Sequence, residues 1–416
     1  MSTMDLVVAN LDAWLATMRQ TGGYGGPVPH WWESGFRYAG PGRDWRYEGL
    51  LAGYAALYRR TGAAHWQHRL AMAAADVLAA QRPDGSLAAS RFEANPGSLG
   101  TPHEAAAAAG LLAAHRVWPH PTWLAAAGRI LDNQIGHLWD PATQGFNDRP
   151  EQFGRVPNKL ATLAEACLLY AADTGDTRYL TYAAAALADV LHLQVNVRGR
   201  PESGAVHQQA APGGGDRRFF PFYNARIVPA LLLAAEMLGE DRYRTAAQRI
   251  GEFLSRVQNP DGSYPQVVYA GGARAEGPRW LAGTAEVLRA QMLLGRTVPA
   301  VVQHRLLAGQ LPTGGFRTGE GFSGASGVDF RDVTPAVGWN DKVLRWLAES
   351  GVVPAAPPPP TVRPASMLVT VRGRPAIWRE TSEAITMVSG GADRALWYRW
   401  NKREPWASGV WEVLAG

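Results

Sequence analysis

The chain has 416 residues but a single cysteine, Cys167, and only three lysines, Lys159, Lys342 and Lys402. One cysteine excludes a disulfide framework and any metal site built on cysteine pairs. Set in an Ala/Leu-rich run, Cys167 reads as a buried, inert thiol. The net charge of +5 is therefore carried almost wholly by arginine. A GC-rich genome produces that composition without any anionic partner, and no basic stripe for nucleic acid is present. No uninterrupted apolar run is long enough to span a bilayer. The N-terminal Met1-Ser-Thr-Met-Asp-Leu lacks the basic flank of a signal peptide, so the expected location is the cytoplasm. His-Glu-x-x-His does not occur, and His65 and His68 fall on a solvated helix face, so neither a metal nor another cofactor is expected.

What the sequence does have is a repeated turn. Gln258-Asn259-Pro260-Asp261-Gly262-Ser263-Tyr264 recurs as Gln81-Arg82-Pro83-Asp84-Gly85-Ser86-Leu87 and as Gln310-Leu311-Pro312-Thr313-Gly314-Gly315-Phe316. Looser versions follow Gln20, Gln134 and Gln194. A recurrence of this kind marks one supersecondary unit used six times. Pro cannot continue a helix, Asp-Gly makes a tight turn, and the large apolar residue after it folds back onto the helix just left. The helix thus ends at the Gln, whose amide is expected to tie that helix's last open carbonyls to the neighbouring turn.

Between the turns the apolar pattern alternates. Residues 5–19 place Val7, Leu11, Trp14 and Met18 on one face, the pattern of an outer helix, whereas residues 46–60 are apolar nearly all round, the pattern of an inner one. Further outer helices are expected near 65–81, 122–134, 177–194, 241–258 and 298–310. Inner ones are expected near 102–116, 158–173, 222–238, 279–295 and 336–349. Asp176, Gly175 and Asp241 mark short inner-to-outer turns on one rim. The long loops 21–45, 82–101, 135–157, 195–221, 259–278 and 311–335 fall on the other, where function concentrates. The fold class that follows is all-α, an (α/α)6 toroid of six helical hairpins over residues 1–350. A Pro-rich linker, 351–364, then leads to a β-rich C-terminal appendage, 365–416, too small for its own core and expected to dock on the toroid.

This layout resembles the α/α toroids shared by terpenoid cyclases and six-hairpin glycosidases, lyases and sugar epimerases. The Gln-x-Pro-Asp-Gly turns look like a reduced QW repeat of the squalene cyclase superfamily, with Leu, Tyr or Phe in place of Trp. The Asp-x-Asp-Asp motif of a class II cyclase is absent, Asp329-Phe-Arg-Asp332 being the nearest approach, and so is the Asp-rich magnesium motif of class I. The resemblance therefore implies a fold and leaves three readings open. The leading one is a carbohydrate-active enzyme, a hydrolase, lyase or epimerase working on a sugar or oligosaccharide, an acidic one included. The others are a terpenoid cyclase-like protein acting on an isoprenoid and a non-catalytic binding toroid. Nucleic acid and membrane spans are not among the expected partners, and the oligomeric state is left open.

In a ring of hairpins the first turn of each inner helix faces the cavity beneath the loop rim. Those turns carry Asp44, Trp45, Tyr47 and Glu48; His103 and Glu104; Asn158 and Lys159; Tyr223, Asn224 and Arg226; Arg279 and Trp280; and Trp339, Asn340, Asp341 and Lys342. Taken singly, each serves equally well as a helix cap or core residue. Taken together they are costly to bury without a task. Sugar chemistry needs flat stacking faces, fixed hydrogen-bonding groups and proton carriers. Trp31, Trp32, Trp45, Trp280 and Trp339 supply the first. Glu104 or Asp341 is expected as the acid/base, with His103 and Tyr223 as alternative proton carriers and Arg226 orienting an anionic group.

Overall fold

The computed structural model describes residues 3–27, 38–88, 102–149, 154–324 and 328–351, with five later strands. Twelve α-helices are formed among the described residues. The outer ones are α1 (Thr3–Thr17), α3 (Ala64–Ala80), α5 (Pro121–Leu138), α7 (Arg178–His192), α9 (Asp241–Val257) and α11 (Ala300–Leu307). The inner ones are α2 (Arg46–Thr61), α4 (Ala105–Val117), α6 (Pro157–Thr174), α8 (Pro221–Met237), α10 (Thr284–Leu293) and α12 (Val337–Glu349). Each inner helix packs on the next, and α12 packs back on α2, so the six close into the inner ring of an (α/α)6 toroid.

The apolar patterns explain the two rings. In α9 the residues Tyr243, Ala246, Ala247, Ile250, Phe253, Leu254 and Val257 are buried on one face, while Arg242, Arg244 and Glu252 are exposed on the other. In α2 every residue from Arg46 to Leu57 is buried, as an inner helix requires. Small residues set the closest crossing. A Cβ on Gly49 would lie 2.4 Å from Asp341 Oδ2, so α2 and α12 meet at a distance only glycine allows. Cys167 is buried in α6, and burial pushes its thiol well above the usual range.

The repeated turns work differently from the expectation. Gln81 donates through Nε2 to the Ala126 carbonyl of α5 at 2.9 Å. Gln194 donates to Gly204 and to Ala246 of α9 at 2.9 and 3.0 Å, and Gln310 to Gly314 and Val7 of α1, both at 2.9 Å. The amide thus fastens its own turn to the next outer helix rather than to the last carbonyls of its own, because a mid-helix carbonyl keeps a second lone pair. The turn glycines make that contact close. Gly85 and Gly314 sit at φ +89° and +99°, and a Cβ there would lie 2.1 Å from the Arg129 and Asn10 carbonyls. The following Leu87, Val206 and Phe316 bridge back to the three glutamines and are buried. The other three depart from the pattern: α5 runs on to Leu138 and Gln134 donates to Glu104 at 3.3 Å, both Gln20 amide atoms are shielded without a hydrogen-bond partner among the described residues, and Gln258 makes no such bond there.

Two helix starts also differ. Residues 102–104 form a 3-10 turn ahead of α4. Residues Arg279–Trp280 pair as a strand with Gly319–Glu320, which delays α10 to Thr284. After the toroid, the strands Ala365–Val371, Arg374–Glu380, Ala384–Gly390, Ala395–Asn401 and Glu412–Leu414 form an antiparallel meander in chain order. Its Val369, Ala376 and Trp378 are buried, and its Glu380 accepts a hydrogen bond from Trp14 Nε1 of α1 at 3.1 Å. Of the expected linker, residues 352–364 lie outside the described residues.

Candidate active site

The first turns of the inner helices converge, as their pattern requires, on one cavity beneath the long-loop rim. All six inner helices line it, α4 through Ala106, together with the 3-10 turn that leads into α4. One wall is aromatic. Trp45 and Trp339 meet edge to face with ring centres 5.1 Å apart, and Trp280 stacks behind Trp339 at 5.9 Å. Trp45 and Trp339 line the cavity and Trp280 does not.

The floor is a compact ionic network. Arg226 reaches Glu48 at 2.8 Å and Glu165 at 2.6 Å; Arg345 reaches Glu48 at 2.7 Å and Glu349 at 2.8 Å. Lys342 lies 3.3 Å from Glu48 and 2.7 Å from Asp341, and donates to the Trp45 carbonyl at 2.8 Å. Burial opposes the charge on Glu48, but Arg226, Lys342 and Arg345 outweigh it and hold the carboxyl well below the usual range. Glu48 is thus a permanent anion that fixes three cations and has no proton to give. Burial also opposes the charge on Lys342, and Asp341, Glu48 and Glu286 more than offset it, so the ammonium keeps its proton.

Above this floor stand groups of another kind. Glu286, in the first turn of α10, is buried and lines the cavity, and among the described residues its carboxylate has no hydrogen-bond or ion-pair partner. His103 lines the cavity from the turn before α4; burial, with Lys159 nearby, pushes its imidazole down to about 3, so it is neutral at pH 7. Helices α4 and α10 are opposite members of the inner ring, which sets the two groups on opposing sides. Tyr223 joins them on the wall, its hydroxyl pushed up to about 12 by burial and so fully protonated. A neutral imidazole and an unengaged carboxylate thus face one cavity from opposite members of the ring.

Of the residues singled out in the sequence, the structure brings Trp45, Glu48, His103, Asn158, Lys159, Tyr223, Arg226, Trp339 and Lys342 to the cavity. The two expected acid/base carboxylates are not there. Glu104 is buried beside Gln134, and Asp341 is fully buried behind Lys342, where Oδ2 accepts from the Gly49 N–H at 3.0 Å and burial pushes the carboxyl up. Asp44 is engaged by Arg46 at 2.8 Å, and the Tyr47 hydroxyl donates to Asp76 at 3.0 Å. Asn224 and Asn340 hold the backbone of Val206 and Phe316 in the repeated turns, both N–H and C=O. Arg279 stands on the rim with Ser263 and Asp261. Trp31 and Trp32 lie outside the described residues.

Sequence reasoning misses Glu286 and Gln208. The displacement of α10 by several residues hides Glu286, because the sequence pattern places the first turn at Arg279. Gln208 lies on a long loop, where no periodicity points to a cavity.

No protein-family model and no curated protein matches this sequence. Solved structures do match its fold. A sugar epimerase from a ruminal bacterium is 14% identical, with a TM-score of 0.60 over 84% of this chain and 99% of that one. Cellobiose 2-epimerase from Bacillus thermoamylovorans is 13% identical, with a TM-score of 0.60 over 83% and 99%. An unsaturated glucuronyl hydrolase from a Bacillus species is 14% identical, with a TM-score of 0.61 over 84% and 96%. At these identities the likeness is one of fold, the α/α toroid, and these neighbours are sugar enzymes.

Proposed function

We propose that this chain is a carbohydrate-active enzyme, a hydrolase, lyase or epimerase, that binds a sugar or the end of an oligosaccharide in the mouth of the toroid. The observation that carries the reading is the pairing of Glu286 with His103 across a cavity walled by Trp45 and Trp339. The indole faces suit the apolar faces of a pyranose, and the flanking groups suit proton transfer at its hydroxyls or ring carbons. In this reading Glu286 and His103 are the catalytic pair, Tyr223 is a protonated donor, and Glu48 with its three cations keeps the floor rigid. An isoprenoid fits less well, because its chain would have to lie against the charged groups of Glu48, Arg226 and Lys342.

The test is turnover of a panel of mono- and disaccharides followed by NMR. Glu286→Gln and His103→Asn are expected to lower turnover of the accepted sugar by about 10²–10⁴-fold. Glu104→Gln is expected to retain most of it. A panel in which no sugar binds or turns over removes the proposal.

A further inference from the structure

The neighbours by fold act on both neutral and acidic sugars according to their names, so the fold does not choose between them. The polar groups of this cavity do. Its cations are all committed: Arg226 to Glu48 and Glu165, Lys342 to Glu48 and Asp341, and Lys159 to Asp148 at 2.8 Å. Its one carboxylate with no partner among the described residues is Glu286. Among the described residues, a ligand carboxylate entering here finds no cation without a carboxylate partner, and one carboxylate, Glu286, without an ion-pair partner.

The other groups here without a hydrogen-bond partner among the described residues are neutral apart from Arg226 Nη2, which is ion-paired with Glu48 at 2.8 Å. Asn158 and Gln208 line the cavity; their amide oxygens are shielded, and among the described residues no hydrogen bond engages their side-chain NH2 groups. Buried polar atoms of this kind are ordinarily paired. Amides present both donor and acceptor, which suits hydroxyls, since a hydroxyl also gives and takes. A uronate keeps its ring hydroxyls and differs at C6, where a carboxylate can accept but not donate and carries a charge of the same sign as Glu286. Size narrows the ligand further. The cavity, open at its mouth, offers about 130 Å³, which by the volume a buried water needs is on the order of ten waters, room for one hexose ring.

We infer that the cavity selects a single neutral, polyhydroxylated pyranose ring over its uronic-acid counterpart, with Asn158 and Gln208 reading its hydroxyls. This rests on the carbohydrate reading above and assigns its substrate class. Gln208 sits on the loop between α7 and α8, so it is a specificity-determining residue that can be changed without disturbing the inner ring.

The test is binding to the full chain, followed by calorimetry or tryptophan fluorescence, with glucose, mannose and galactose beside glucuronate, mannuronate and galacturonate at pH 7. At least one neutral sugar is expected to bind on the order of ten-fold or more tighter than its own uronate, the equivalent of one good hydrogen bond. Gln208→Ala is expected to weaken the neutral sugar by a similar factor, and Gln208→Arg to narrow or reverse the preference. Equal or tighter binding of the uronate by the wild type overturns the inference and leaves the carbohydrate reading standing. If neither class binds, both fall.

Discussion

Gln310 and Val7 stand 303 residues apart in sequence, yet the Gln310 side-chain amide donates to the Val7 carbonyl at 2.9 Å, joining the last outer helix to the first. The same bond, made from Gln81 to Ala126 and from Gln194 to Ala246, joins neighbouring hairpins elsewhere. Closure of the outer ring thus uses a link that three of the six glutamines make. Gln310→Ala removes that donor from two carbonyls and is expected to cost about 1–3 kcal/mol, with Gln81→Ala and Gln194→Ala close to it. Urea unfolding checks this; a Gln310→Ala midpoint equal to wild type would show that the closing bond contributes nothing.

The ionic floor makes a prediction about acid. Glu349, engaged by Arg289 and Arg345, is held down to about 2 although burial opposes its charge, and Glu48 is depressed further. A carboxyl whose folded pKa is lowered stabilises the protein fully above its unfolded value, near 4.5, and the contribution is lost as pH falls toward the folded one. Stability should therefore decline from about pH 4.5 toward pH 2. Glu48→Gln leaves Arg226, Lys342 and Arg345 short of their shared partner and is expected to cost about 3–5 kcal/mol at pH 7, with a shallower acid dependence. Thermal unfolding between pH 7 and 3 measures both.

His103 acts at milder pH. Its folded pKa, about 3, lies below the ordinary 6.5, so below pH 6.5 the unfolded chain takes a proton that the folded one refuses. Stability is present above that pH and falls as the pH drops toward 3, by up to about 1.4 kcal/mol per unit. His103→Gln should flatten this segment of the curve and leave the steeper carboxylate region intact. Identical curves for the two proteins between pH 6.5 and 5 would show that His103 is protonated as readily folded as unfolded.

Much of this molecule is legible in its residues. The six glutamine turns set the hairpin count, and the contrast between the one-sided pattern of Val7, Leu11 and Trp14 and the all-round burial of α2 separates outer from inner helices. The first-turn rule brings His103, Tyr223 and Trp339 to the cavity correctly. It fails where identity alone does not tell a wall from the layer behind it. Asp341 and Lys342 are adjacent in sequence, yet a helix turns about 100° per residue, and that rotation sends only Lys342 to the cavity. Asn224 and Asn340 carry the polarity of site residues but spend it on the turns. Glu286 escapes because the strand at Arg279–Trp280 moves the start of α10, a pairing with Gly319–Glu320 that no local pattern announces.

The central claim, that Glu286 and the indole wall of Trp45 and Trp339 together hold a sugar, is tested most directly by a crystal structure of Glu286→Gln soaked with the neutral hexose that binds tightest. The expected result is one pyranose ring in this cavity, packed against Trp339 or Trp45 and hydrogen-bonded to Gln208, Asn158 and the amide introduced at position 286. A sugar bound on the outer surface with the cavity empty, or within the cavity but turned away from position 286, would contradict the claim.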